Sequence, residues 1–96
     1  MIRVKLHTIS ALKKIVGQRE IEIYLPQGST LESLLSRMVK TWGKKLSDYM
    51  FQPGSTRPLP YIRLMINGQD IEFLNGIETL LRDGDEVLII PPVAGG

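Results

Sequence analysis

Only one stretch of this 96-residue chain carries a full apolar helical stripe, and that limits what the rest can do. Leu31, Leu34, Leu35, Met38, Val39 and Trp42 recur at i, i+3, i+4, i+7, i+8 and i+11. That spacing puts them on one face of a helix. Gly43 supplies the stop. Ser29-Thr30-Leu31-Glu32 fits a capping box, with the Ser29 hydroxyl accepting from the helix and Glu32 reaching back to the cap. One helix covers one face of a sheet. The strands it packs on should therefore be half-buried, with the opposite sheet face left open.

The flanking segments fit that demand. Met1–Ile9 alternates strictly: Ile2, Val4 and Leu6 point one way, Arg3, Lys5 and His7 the other. Glu20–Leu25 repeats the pattern, with Ile21, Ile23 and Leu25 against Glu20, Glu22 and Tyr24. The exposed signs are opposite, so antiparallel pairing would set Arg3 and Lys5 against Glu20 and Glu22. The connection Ser10–Arg19 ends at Gly17 with room for a helical turn. Tyr61–Asn67 is a third strand, with Ile62, Leu64 and Ile66 on one face and Arg63 and Met65 on the other. Asn67-Gly68 is a hairpin signal, with a short strand expected at Asp70–Phe73. Arg82-Asp83-Gly84-Asp85 marks a second turn. Val87-Leu88-Ile89-Ile90 is apolar on both faces, as a central strand is, and Pro91-Pro92 ends its pairing. The first and last strands belong side by side in the middle. The sequence thus predicts an α+β, β-grasp (ubiquitin-like) domain over residues 1–90. It has a mixed sheet of four to five strands and one main helix on one face. Residues 43–60 form a long loop or insertion with a short helix at Leu46–Phe51, and residues 91–96 an extended tail.

The chain has no cysteine, which excludes disulfides, a thiol nucleophile, thiolate zinc and iron–sulfur clusters. His7 is the single histidine and lies on a polar strand face, so it reads as a solvated or surface-packed residue rather than a metal ligand or catalyst. No metal site, acid/base carboxylate pair or glycine-rich phosphate loop is recognisable. Apolar runs are too short to span a membrane, and no secretory signal pattern is present, which points to the cytoplasm. The net charge of +2 is too small to argue for nucleic acid. Its distribution is uneven: residues 1–19 hold five bases and no acid, residues 69–86 six acids and one base. Either the two ends meet in the fold, or an acidic surface near the C-terminus steers a basic partner.

What remains is the tail. Gly95-Gly96 follows a buried strand and a stiff proline pair, which keeps the tail extended and out of the sheet. Six extended residues reach about 20 Å. Lacking Cβ atoms, the two glycines can enter a narrow tunnel in another protein. A carboxylate is a poor acyl donor. Activation with ATP makes an acyl-adenylate, from which sulfur or an amine displaces AMP.

Asp83-Gly84-Asp85-Glu86-Val87 with Ile90-Pro91-Pro92-Val93-Ala94-Gly95-Gly96 resembles the C-terminal signature of the molybdopterin synthase small subunit and thiamine-pathway sulfur carrier family. Asn67-Gly68, the first strand and the helix start at Thr30–Leu35 fit the same order. The resemblance implies that Gly96 is adenylated and thiocarboxylated by an E1-like adenylyltransferase using ATP. Pro92, Val93, Ala94 and Gly95 would then enter the partner's active site. The acceptor would be the molybdopterin synthase large subunit, in molybdenum or tungsten cofactor biosynthesis, or another sulfur acceptor enzyme. The carrier would bind no cofactor and have no active site of its own. The same activation also suits a protein modifier forming isopeptide bonds through Gly96, and a β-grasp domain can serve as a non-covalent interaction module. Met65, Leu88 and Ile90 are expected outward on the open sheet face, as a docking patch for the partners.

Overall fold

The computed structural model describes residues 1–55 and 57–91. A five-stranded sheet runs in the order β2-β1-β5-β3-β4. Its strands are β1 (Ile2–His7), β2 (Glu20–Leu25), β3 (Arg63–Ile66), β4 (Gln69–Asp70) and β5 (Glu86–Ile90). β1 and β5 are parallel neighbours in the middle, and the other pairings are antiparallel. This is the mixed β-grasp sheet that the alternating segments predict.

Three α-helices lie among the described residues: α1 (Ser10–Val16), α2 (Leu31–Trp42) and α3 (Lys44–Met50). All three bury their apolar residues in one core with the inner sheet face. Leu34, Leu35 and Met38 of α2 are fully buried there with Val4, Leu6, Val87 and Ile89. Val39, Trp42 and Ile21 sit at the margin, half-buried. Leu46, Met50 and Phe51 fill the same core, and Phe51 bridges back to Pro58. No helix among the described residues is long and apolar enough to cross a membrane.

Two local expectations are corrected. The helix cap lies one residue later than Ser29–Glu32. The Thr30 side chain accepts from the Ser33 backbone N–H, and Ser33 returns the bond. The cause is tertiary. Thr30 bridges Leu80, the Leu31 N–H donates to the Thr79 carbonyl, and the Leu81 N–H donates to the Ser29 carbonyl. Thr30 is thereby held extended, and Ser29 is buried. The strand expected at Asp70–Phe73 shrinks to Gln69–Asp70. The Asp70 carboxylate accepts from the Glu72 N–H at 2.9 Å, and this cap turns Ile71–Phe73 into a 3-10 helix.

The uneven charge is resolved by ends that meet. The Arg3 N–H donates to the Asp83 carboxylate at 2.8 Å, the Gly84 N–H donates to the Arg3 carbonyl at 2.8 Å, and the Lys5 N–H donates to the Asp85 carbonyl at 2.9 Å. Asp85 also accepts from the Asn67 side chain and from the Arg82 N–H. These acids serve as turn acceptors.

Candidate functional site: the open sheet face and the root of the tail

Strand alternation sends Arg3, Lys5 and His7 of β1, Arg63 and Met65 of β3, and Glu86, Leu88 and Ile90 of β5 to the face away from the helices. The register then sets these residues in rows. Met65 is opposite Leu88, and Leu88 is opposite His7. Arg63 is opposite Ile90. Met65, Leu88 and Ile90 are therefore neighbours, each half-buried, and together they make an apolar patch on the open face.

Charges ring the patch in opposed pairs. Arg3 meets Glu22 at 3.1 Å, and Lys5 meets Glu20 at 3.7 Å. These are the predicted partners, one step diagonal to the direct register, in which Lys5 faces Glu22. His7 is surface-packed: Nε2 lies 2.8 Å from Glu86 and Nδ1 3.6 Å from Glu20. On the other side Arg63 meets Asp70 at 3.1 Å. Asp70 is held below the usual carboxylate range, first by the Glu72 N–H and further by Arg63. The exposed pairs Arg3–Glu22 and Lys5–Glu20 contribute little to stability. Together the pairs define the patch by leaving its centre uncharged.

The tail grows from a central strand. β5 is paired on both sides, and Val87 and Ile89 are completely buried. Its start is tied down by the Asn67-Gly68 turn. Both residues there have positive φ, 52° and 83°, as a tight two-residue hairpin turn requires. The Asn67 side-chain oxygen accepts the Glu86 N–H at 2.9 Å. At the other end Pro91 is buried, directly after Ile90. Elsewhere on the surface Tyr49 and Tyr61 are neighbours. Burial, and then the neighbouring Tyr61, push the Tyr49 phenol up. The expected tail residues Pro92, Val93, Ala94, Gly95 and Gly96 lie outside the described residues.

The clamp at Asn67, Asp83 and Asp85 was not among the expected site residues. Its signal was the pair of turn motifs, but their meeting depends on β5 lying between β1 and β3.

The ThiS family model matches residues 9–96, which takes in the last strand and the diglycine. The chain belongs to the ThiS family. Among relatives, a putative sulfur carrier protein of Archaeoglobus fulgidus is 33% identical over 84% of this chain and 89% of its own length. The small archaeal modifier protein 3 of Haloferax volcanii is 28% identical over 99% of this chain and all of its own. The sulfur carrier protein CysO of Mycobacterium tuberculosis is 31% identical over 83% of each chain. Two solved structures share the architecture of this ThiS-family chain. The small archaeal modifier protein 1 of Methanosarcina acetivorans superposes with TM-score 0.81 at 28% identity, over 100% of this chain and 98% of its own. A structure from Pyrococcus furiosus described as a putative molybdopterin converting factor, subunit 1, gives 0.77 at 26% identity, over 97% and 100%. The fold is the ubiquitin-like β-grasp.

Proposed function

We propose that this ThiS-family chain is a sulfur carrier whose Gly96 carboxylate is activated by an E1-like enzyme and becomes a thiocarboxylate. One observation carries the reading. The family match continues through Gly96, whereas the last strand ends at Ile90, so the match runs on beyond that strand to the diglycine.

In the first step a Gly96 carboxylate oxygen attacks the α-phosphorus of ATP and pyrophosphate leaves. Hydrosulfide then attacks the acyl carbon, AMP leaves, and loss of the proton from sulfur leaves the thiocarboxylate. Both steps take place in the partner's active site, with Pro92, Val93, Ala94 and Gly95 threaded toward it. The chain's own contribution is positional. A central strand gives the tail a fixed origin, and Met65, Leu88 and Ile90 offer a docking patch beside it. ATP is bound by the activating enzyme, and the carrier needs no cofactor. The protein works in the cytoplasm, where ATP and the activating enzyme are found.

The acceptor we infer is the large subunit of molybdopterin synthase, in molybdenum or tungsten cofactor biosynthesis. The likeness to the Pyrococcus furiosus protein and the C-terminal signature support this choice. A second reading, a modifier joined to lysines through Gly96, is favoured by the near full-length match to small archaeal modifier protein 3. The acceptor separates the two. Thiocarboxylated protein mixed with the large subunit and precursor Z should yield the dithiolene of molybdopterin. An N-terminally tagged chain expressed in its own cells should give no ladder of heavier conjugates. A conjugate ladder without dithiolene would establish the modifier reading instead.

A further inference from the structure

β2 is the last strand on its side of the sheet, and no strand lies beyond it among the described residues. The register decides which of its backbone groups reach that edge. The Thr8 N–H donates to the Arg19 carbonyl at 2.8 Å, one step on from the His7–Glu20 pair. Bonding alternates along an antiparallel ladder, so Arg19, Ile21, Ile23 and Leu25 direct their backbone groups to β1. Glu20, Glu22 and Tyr24 direct theirs outward. A second contact agrees: Arg37 of α2 donates from Nη1 to the Tyr24 carbonyl at 3.3 Å. Glu20, Glu22 and Tyr24 are all exposed. This edge is therefore open to another strand, and neither proline nor lysine interrupts it.

The two sides of the edge differ in chemistry. On the open sheet face it presents Glu20, Glu22 and Tyr24. The acids meet Lys5 and Arg3 on the β1 flank, yet their side chains stay 52% and 44% exposed. On the helix side Ile21 is half-buried. Past it, a shallow recess between Leu25 and α2 holds Arg37 and Lys40 against one acid, Glu32. A second copy of this chain fits poorly, because antiparallel pairing about Glu22 would set Glu22 against Glu22. A strand with cations on the open side would instead complete an alternating order of charge across β1, β2 and itself.

We propose that the β2 edge accepts an added strand: an antiparallel extended segment of a partner protein with Lys or Arg on the open side and β-branched apolar residues on the helix side. Alternation keeps the two rows apart. The cations would stand beside Glu20 and Glu22, the apolar residues beside Ile21 and Ile23, and an acid at the segment's N-terminal end beside Arg37 and Lys40. The edge lies two strands away from β5, which carries the tail. It stands independently of the sulfur-carrier reading.

The probe is the acetylated, amidated peptide Glu-Thr-Val-Lys-Val-Lys, titrated into the full chain and followed by amide NMR and hydrogen exchange. In this pairing Thr lies opposite Tyr24 and the two Lys opposite Glu22 and Glu20. The free chain should exchange the Glu20 and Glu22 amides fast and the Ile21 and Ile23 amides slowly. Saturable shifts should appear at 20–24 and at Arg37, and exchange at Glu20 and Glu22 should slow about tenfold at nine-tenths occupancy. Replacing both Lys of the peptide by Glu should abolish binding, and Glu20→Gln with Glu22→Gln should weaken it about fivefold. Absence of saturable binding, or shifts confined to the Met65–Leu88–Ile90 face, would overturn the proposal. So would binding that leaves exchange at Glu20 and Glu22 unchanged, because side chains alone would then be responsible.

Discussion

Leu88 lies between Met65 and His7 on the open face and is half-buried rather than sunk in the core. Its outward position was legible in the sequence, because Val87 and Ile89 alternate with it and claim the helix side. Leu88→Asp should therefore leave the melting temperature within a few degrees of the parent while weakening binding to the activating enzyme. Calorimetry on both variants checks this, and an unfolded Leu88→Asp protein would assign the residue to the core. The contact between His7 and Glu86 was not legible, since it joins residues 79 apart through a parallel pairing whose register no turn fixes. Asp70 allows a pH test. Its pKa is lowered in the fold from the ordinary 3.8, so its stabilising contribution is present above that value and is lost as pH falls below it. The stability difference between the parent and Asp70→Asn should be flat above 3.8 and shrink below it. Thermal unfolding across acidic pH measures this, and a difference independent of pH would show that the carboxylate carries none of it.

At the scale of elements, α2 is where the pattern spoke most clearly. Its stripe predicted Leu31–Trp42 and Gly43 as the stop, and the structure has both. Leu35 is fully buried, so Leu35→Ala should cost about 2–5 kcal/mol in denaturant unfolding, against under about 0.5 kcal/mol for a surface site. The start of α2 was misread by one residue because the bridge between Thr30 and Leu80 overrides the local capping preference. Thr30→Ala should accordingly cost about 1 kcal/mol, and Glu32→Ala should leave the cap hydrogen bonds intact. β4 shows the same limit. Asp70–Phe73 has a strand's composition, but a single carboxylate accepting the Glu72 N–H bends the chain away after two residues.

Across the whole molecule, the arrangement follows from one helix-covered face and a first and last strand that meet in the middle. This much could be read from alternation and element order. The packing of 43–60 could not, because a single helical turn carrying Leu46 and Met50 does not say which part of the sheet it covers. The candidate site was legible as a motif at the C-terminus and as outward residues on β5. Its supporting clamp of Asn67, Asp83 and Asp85 depended on the tertiary meeting of two turns. Gly95→Val adds a β-branched side chain where a partner's tunnel must close on the backbone, so it should impair transfer without shifting the melting temperature. The central claim is that Gly96 carries the sulfur. The most direct measurement is the intact mass of the parent and of a chain lacking Gly96, each incubated with the E1-like partner, ATP and a sulfur source. The parent should gain the mass of one oxygen exchanged for sulfur, located at Gly96, and the shortened chain should stay unchanged. Its carboxylate stops one residue, about 3.3–3.6 Å, short of the reacting centre. A shortened chain that still acquires sulfur and supports full transfer would contradict the account.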